Sequence, residues 1–217
     1  MRSLQKSQEP EVLARNRTSW TESYVEAARS KRTPIAYWRR RPIPEVLLAE
    51  TDRRCAYCDS HVIHVAQPHI EHYRPRKSYP ELVVAWDNLT VACPRCNALK
   101  LDNFSEKLPL VNPFIDDPMD HFIFYGDMVF APESLRGEYT IQILGLNRED
   151  IVSMRKQRML NMERLVASWR KAPPVLRNGI LSEIHVQFES GEYEASVRTM
   201  LQAFGVPLPN KKQSQSK

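Results

Sequence analysis

The chain has 217 residues, with 31 Lys and Arg against 26 Asp and Glu, for a formal net charge of +5. Its 42% hydrophobic content supports a packed core and excludes a disordered chain. No apolar run reaches the length of a membrane-spanning helix, and the opening MRSLQKSQEPEVLARN lacks the apolar stretch of a secretory signal, so a cytoplasmic protein is expected.

The basic balance is compatible with nucleic-acid binding, and it is unevenly spread. Residues 1–49 hold 10 cations against 5 anions, 50–107 hold 8 and 8, and 108–217 hold 13 and 13, so the surplus lies in the N-terminal flank. Residues 1–50 read as an N-terminal helical segment. Residues 1–17 are polar and expected to be loosely ordered. Ser19-Trp-Thr-Glu22 has the form of a capping box and predicts a helix to about Ser30, ended by Thr33-Pro34. Tyr37, Trp38 and Arg39 to Arg41 combine rings and cations in a pattern suited to phosphates and stacked bases, although packing through Trp38 is the plainer reading. Pro44 suits a first helical turn, so a short helix to about Thr51 follows.

Residues 51–108 carry the chemistry. The four cysteines of the chain form two pairs, Cys55/Cys58 and Cys93/Cys96, each with a two-residue gap. Such turns aim both sulfurs at one ion, and two of them complete a tetrahedral zinc shell. Two disulfides are the alternative, but they need an oxidising compartment. Val62 to Val65 reads as a short strand, and Leu82 to Trp86 leads into a strand ending at Ala92. Pro94 opens a helix carrying Asn97 and Lys100, ending near Asn103. Between the cysteine pairs stands Glu71-His72. An imidazole with an ordinary pKa near 6.5 can take a proton from water, while a carboxylate and the Asn97 amide oxygen are hard ligands suited to Mg²⁺ or Mn²⁺. His61, His64 and His69 are further candidate ligands, each more commonly a packing residue. His69 stands out because it shares a strand face with Glu71.

Residues 109–209 read as a hairpin plus a helical region. His121 to Tyr125 and Met128 to Phe130 flank Gly126 as hairpin strands, and Thr140 to Leu144 is a short strand or a helical turn. Asn147 is expected to cap a helix to about Ala172, with Ile151, Met154, Met162, Leu165 and Trp169 as its apolar stripe. Residues 148–177 hold 8 cations and 3 anions, a candidate face for nucleic acid or an acidic partner. Further helices are expected over about 174–190 and 192–204. Residues 210–217, NKKQSQSK, read as a disordered tail.

The segment CAYCDSHVIHVAQPHIEHYRPRKSYPELVVAWDNLTVACPRCNALKLDNF resembles an HNH endonuclease. The fold this implies is α+β: a ββα-metal core with a four-cysteine zinc knuckle, flanked by N- and C-terminal helices. In that family an acidic-His dipeptide supplies a metal ligand and the general base, an Asn-Leu the middle letter, and the residue after the second Cys pair the last ligand. By position these are Glu71, His72, Asn88 and Asn97. The resemblance implies structural Zn²⁺ on Cys55, Cys58, Cys93 and Cys96, catalytic Mg²⁺ or Mn²⁺ on Glu71 and Asn97, and phosphodiester hydrolysis. Arg74, Arg95 and Lys100 are the candidate nucleic-acid contacts. Glu replaces the usual Asp, and Asn replaces the usual last His, which favours Mg²⁺ over a softer ion.

The runs from His69 to Leu82 and from Leu110 to Phe122, with Thr140 to Arg148, are similar to the HNH-subunit family of Septu-type antiphage systems (PtuB), also found with some retrons. That implies DNA as substrate, a PtuA-like ATPase partner and, in the retron setting, a reverse transcriptase assembly. An RNA (tRNA) nuclease with the same site and a non-catalytic zinc-ribbon nucleic-acid-binding module remain as alternatives.

Overall fold

A computed structural model describes residues 1–62 and 69–209. The strand expected at Val62 to Val65, the ligand reading of His64 and the tail at 210–217 therefore lie outside the described residues, Val62 apart. The chain forms two compact units: residues 1–123 with 130–146, and residues 124–129 with 147–217.

The first unit opens with residues pinned to the core. Arg2 pairs with Asp59 at 3.2 Å and Lys6 with Glu50 at 2.8 Å, while the Trp86 indole donates to Ser7 O at 2.7 Å. These ties explain why the polar start, expected to be loose, is ordered. Helix α1 spans Glu11–Arg29, beginning behind Pro10 rather than at Ser19, and buries Leu13, Trp20 and Tyr24. Trp20 stacks on Tyr37 at 4.8 Å, and Tyr24 meets Trp38 edge-on at 5.8 Å, so a single turn over Tyr37–Arg39 is held by its aromatic rings. Helix α2 spans Ile43–Glu50 and buries Ile43 and Leu47.

Strands β1 (His69–His72) and β2 (Leu89–Ala92) pair antiparallel, His69 opposite Ala92 and His72 opposite Leu89. The connection holds 3-10 turns at Pro80–Leu82 and Trp86–Asn88. Strand β2 therefore begins only at Leu89, directly after the Trp86–Asn88 turn. Helix α3, Pro94–Lys100, follows β2 and completes a ββα unit. Helix α4, Leu135–Leu144, settles the ambiguous Thr140 region as helix; Ser134 caps it by accepting from Gly137 N at 3.0 Å, and Gly145 ends it in the left-handed region.

In the second unit, strands β3 (Ile123–Tyr125) and β4 (Met128–Phe130) form the expected hairpin, part of it within the first unit's residues. Helices α5 (Glu149–Lys171), α6 (Pro174–Ser190) and α7 (Glu194–Ala203) pack around Met162, Val166, Ile184, Phe188, Val197 and Leu201. Two expectations for α5 are corrected. Asn147 does not cap it, because its amide is used by Val129, accepting from N at 2.9 Å and donating to O at 2.7 Å. Met154 is exposed; Ile151 and Met162 are buried as expected, Leu165 and Trp169 pack half-buried against the core, and Arg155 and Val166 are buried beside them. Much of α5's positive charge is spent within the unit: Arg155 bonds Asp127 O, Arg158 bonds Gln187 O, and Arg170 donates to Phe204 O at 2.6 Å.

Candidate metal centre and nuclease cleft

The four cysteine sulfurs lie within 4.8 Å of one another, and no cysteine is in a disulfide. Zinc–thiolate bonds of about 2.3 Å at tetrahedral angles place neighbouring sulfurs roughly 3.8 Å apart. Cys58 Sγ and Cys93 Sγ are 3.8 Å apart, whereas a disulfide would need about 2.05 Å. The residues therefore fit zinc and not the disulfide alternative. Local backbone holds the first pair: Asp59 N donates to Cys55 O at 2.9 Å, and Ala56 N donates to Val91 O at 2.9 Å, docking the turn on β2. Asp59 takes a left-handed conformation that Asp tolerates. Cys93 is the N-cap of α3, its sulfur accepting from Cys96 N at 3.4 Å. Hydrogen bonds from Cys55 and Cys93 hold the Cys58 thiol well below its ordinary pKa, while burial pushes the Cys55 thiol up and the contact with Cys55 pushes Cys96 up, so the four sulfurs share their protons as one cluster.

Asn97 lies on the same helix as this knuckle, one residue after Cys96. It lines a cleft of about 700 Å³ with His69, Glu71, His72, Arg39 and Arg76. His72 is buried in the cleft wall, its Nε2–H donating to Val83 O at 2.9 Å. A carbonyl only accepts, so Nδ1 keeps the lone pair in the neutral ring. Trp38 stands edge-on to the imidazole at 4.8 Å, which completes a run of rings from Tyr24 on α1. Burial first, opposed by the bond to Val83 and helped by Arg76 and Lys100, pushes the His72 pKa down to about 4. The ring is neutral near pH 7.

Glu71 and Lys100 are buried together, with Lys100 Nζ 2.6 Å from Glu71 Oε1 and 2.9 Å from His72 O. Tyr57 OH is 3.5 Å from the same Oε1. Burial pushes the Glu71 pKa up against the opposing pull of Lys100. The expected role of Lys100 as a phosphate contact is corrected: its ammonium is fully buried and engaged by two protein oxygens. Arg95 is exposed on α3. Arg74 is half-exposed and turned to Glu106 at 3.2 Å, near the rings of Tyr79 and Phe104. Sequence reasoning missed Arg76, which lines the cleft over the Trp38 ring at 5.4 Å. The Arg-Pro-Arg run contained the signal, since Pro75 sets the two arginines on different courses.

Asn88 is buried just before β2. Its Oδ1 accepts from Arg74 N at 2.7 Å, and its Nδ2 donates to Arg74 O and Leu82 O, both at 3.1 Å. It thus ties the exit of β1 to the loop. His69, exposed at the start of β1, has Nδ1 3.0 Å from Asn97 Nδ2. His61 forms an isolated bridge with Arg54, away from the cleft lining.

A ββα unit with a four-cysteine knuckle and an acidic-His strand that lines a cleft defines the class. Residues 55–102 match the sequence model of the HNH endonuclease family, so this segment is an HNH endonuclease domain. More particularly, the chain is 29% identical over 148 residues to a Septu protein PtuB of Bacillus thuringiensis, covering 68% of this chain and 55% of that one. It is 27% identical over 154 residues to a Septu protein PtuB of Bacillus mycoides (strain KBAB4), covering 56% and 52%. The chain thus spans about half the length of the curated relatives it matches.

Proposed function

We propose that the chain is a metal-dependent HNH endonuclease that hydrolyses DNA phosphodiesters as an effector of antiphage defence in the cytoplasm. The observation that carries this reading is His72: a neutral imidazole in the cleft wall, fixed by Val83 O and Trp38, beside Glu71 and facing a cleft that Asn97 also lines. His72 takes a proton from a water molecule through Nδ1 as the water oxygen attacks phosphorus. The P–O3′ bond breaks, and the 3′-oxygen leaves with a proton from solvent. Glu71 and Asn97 would hold the divalent cation, and a Mg²⁺ or Mn²⁺ ion there would supply positive charge to the phosphate and to the leaving oxygen. Asn88 keeps β1 and the following loop in register, so that the base stays aimed. Arg39, Arg76 and Arg95 offer cations to the strand backbone. Among the described residues no helix is long and apolar enough to cross a membrane.

The similarity to PtuB proteins supports work alongside a PtuA-like ATPase, and a retron reverse transcriptase assembly is a further setting for the same effector. The test is single-turnover cleavage of DNA and RNA at saturating Mg²⁺ or Mn²⁺. A positioned base contributes about 10²–10⁴-fold, so His72→Ala is expected to lose that much while keeping zinc content and fold. Undiminished cleavage by His72→Ala overturns the mechanism. Cleavage of RNA alone moves the substrate assignment and leaves the mechanism standing.

A further inference from the structure

The HNH pattern usually carries an imidazole at the helix position that Asn97 occupies here. Beside Asn97 the fold supplies an imidazole from a different element. His69 opens β1 two residues before Glu71, so both side chains lie on one face of the strand. Its Nδ1 is 3.0 Å from Asn97 Nδ2, and His69, Glu71 and Asn97 all line the same cleft. An amide nitrogen only donates, so Nδ1 is the accepting nitrogen and carries the lone pair a metal would take. Turning the Asn97 amide about its last bond brings Oδ1 to the position facing that lone pair, and amide O and N are assigned by partners rather than by shape. A cation can then sit between the two lone pairs; without one, the imidazole would carry its proton on Nδ1 and donate to Oδ1. Glu71, whose Oε1 is engaged by Lys100 and Tyr57, lines the same cleft and supplies the carboxylate of the set.

We propose that His69 is a ligand of the catalytic divalent ion, together with Asn97 and Glu71, and that its imidazole makes the site select Mn²⁺, Co²⁺ or Ni²⁺ over Mg²⁺. This rests on the reading of the cleft as a metal-dependent nuclease site. The sequence alone, with its helix imidazole replaced by an amide, pointed toward Mg²⁺; the strand imidazole restores a nitrogen donor and reverses that preference. A plain hydrogen bond between His69 and Asn97 would instead contribute little at an exposed position.

The experiment measures Mn²⁺ binding by electron paramagnetic resonance to the zinc-loaded full chain, with Mg²⁺ as competitor. Wild type, His69→Ala, His69→Asn and Asn97→Ala are compared, with zinc content and circular dichroism recorded for each. Wild type is expected to bind one Mn²⁺ that only a large excess of Mg²⁺ displaces. His69→Ala and His69→Asn are expected to weaken Mn²⁺ binding by about tenfold or more, with far less change for Mg²⁺, because both lose the nitrogen donor. His69→Asn keeps a polar partner for Asn97, so wild-type Mn²⁺ affinity in that variant would reduce the contact to a hydrogen bond and overturn the assignment. Equal Mn²⁺ affinity in His69→Ala and wild type overturns it too, while leaving the nuclease reading intact. A wild type that binds no Mn²⁺ beside its zinc overturns both.

Discussion

Lys100 shows how one residue can be misread by type. A lysine on a helix beside a metal site suggests a phosphate contact, yet here its ammonium is fully buried between the Glu71 carboxylate and the His72 carbonyl. Burying a charge is tolerable only when it is paired and hydrogen-bonded, and both conditions are met. The consequence is a positioning device, because the ammonium ties α3 to the strand residues proposed as base and metal ligand. Removing one partner leaves the other charge buried alone, so Lys100→Met is expected to destabilise the protein by about 3–5 kcal/mol. Urea unfolding of the zinc-bound protein reads this directly. The double variant Lys100→Met with Glu71→Gln is expected to recover part of the loss, and no recovery would show that Lys100 acts through packing rather than charge.

At the scale of elements, the ββα unit is expected to depend on a metal ion at its four-cysteine knuckle. Strands β1 and β2 are four residues each and α3 is seven, too short to hold themselves together by backbone bonds alone. The first cysteine turn docks on β2 through Ala56 and Val91, and the second begins α3, so one ion joins the sheet to the helix that carries Asn97 and Lys100. Zinc binding to such a site is folding free energy. Purified protein is expected to hold about one zinc per chain. Cys93→Ser, or stripping with a strong chelator, is expected to unfold the unit instead of only slowing cleavage, seen as loss of near-ultraviolet circular dichroism. A Cys93→Ser protein with native spectra and no zinc would refute the dependence.

For the whole molecule, the second unit is a separate packed core of α5, α6 and α7 that a minimal ββα site does not require. Its charge is less available than composition suggests, since Arg155, Arg158 and Arg170 of α5 are bonded to backbone carbonyls of the same unit. Lys156, Arg164 and Lys171 stay exposed, alongside Val175, Leu176 and Val186 of α6. A mixed apolar and basic exterior suits a protein partner better than bare phosphate. Co-expression with a Septu-type ATPase is expected to give a complex that co-elutes on gel filtration and cuts faster than the chain alone. A chain that stays monomeric and is fully active by itself would refute partner dependence.

The sequence by itself determined what depends on residue type and local spacing. Two Cys-x-x-Cys turns, a Glu-His dipeptide and the proline punctuation at Pro94 and Pro173-Pro174 made the cysteine knuckle, the strand and the starts of two helices legible, because each is set within a few residues. The α6 boundaries were legible for the same reason, with prolines at its start and Gly191 after its end. Tertiary structure decided the rest, where the partner lies far along the chain. Lys100 is buried because Glu71 stands 29 positions earlier, and Asn147 serves Val129 instead of its own helix. Trp38 orients His72, and Arg76 rather than Arg74 reaches the cleft. The His69 imidazole meets Asn97 only because β1 pairs with β2 in a register that brings the start of α3 beside it. Side-chain chemistry is local and can be read in order, whereas the identity of each buried neighbour is set by packing and exists only once the chain has folded.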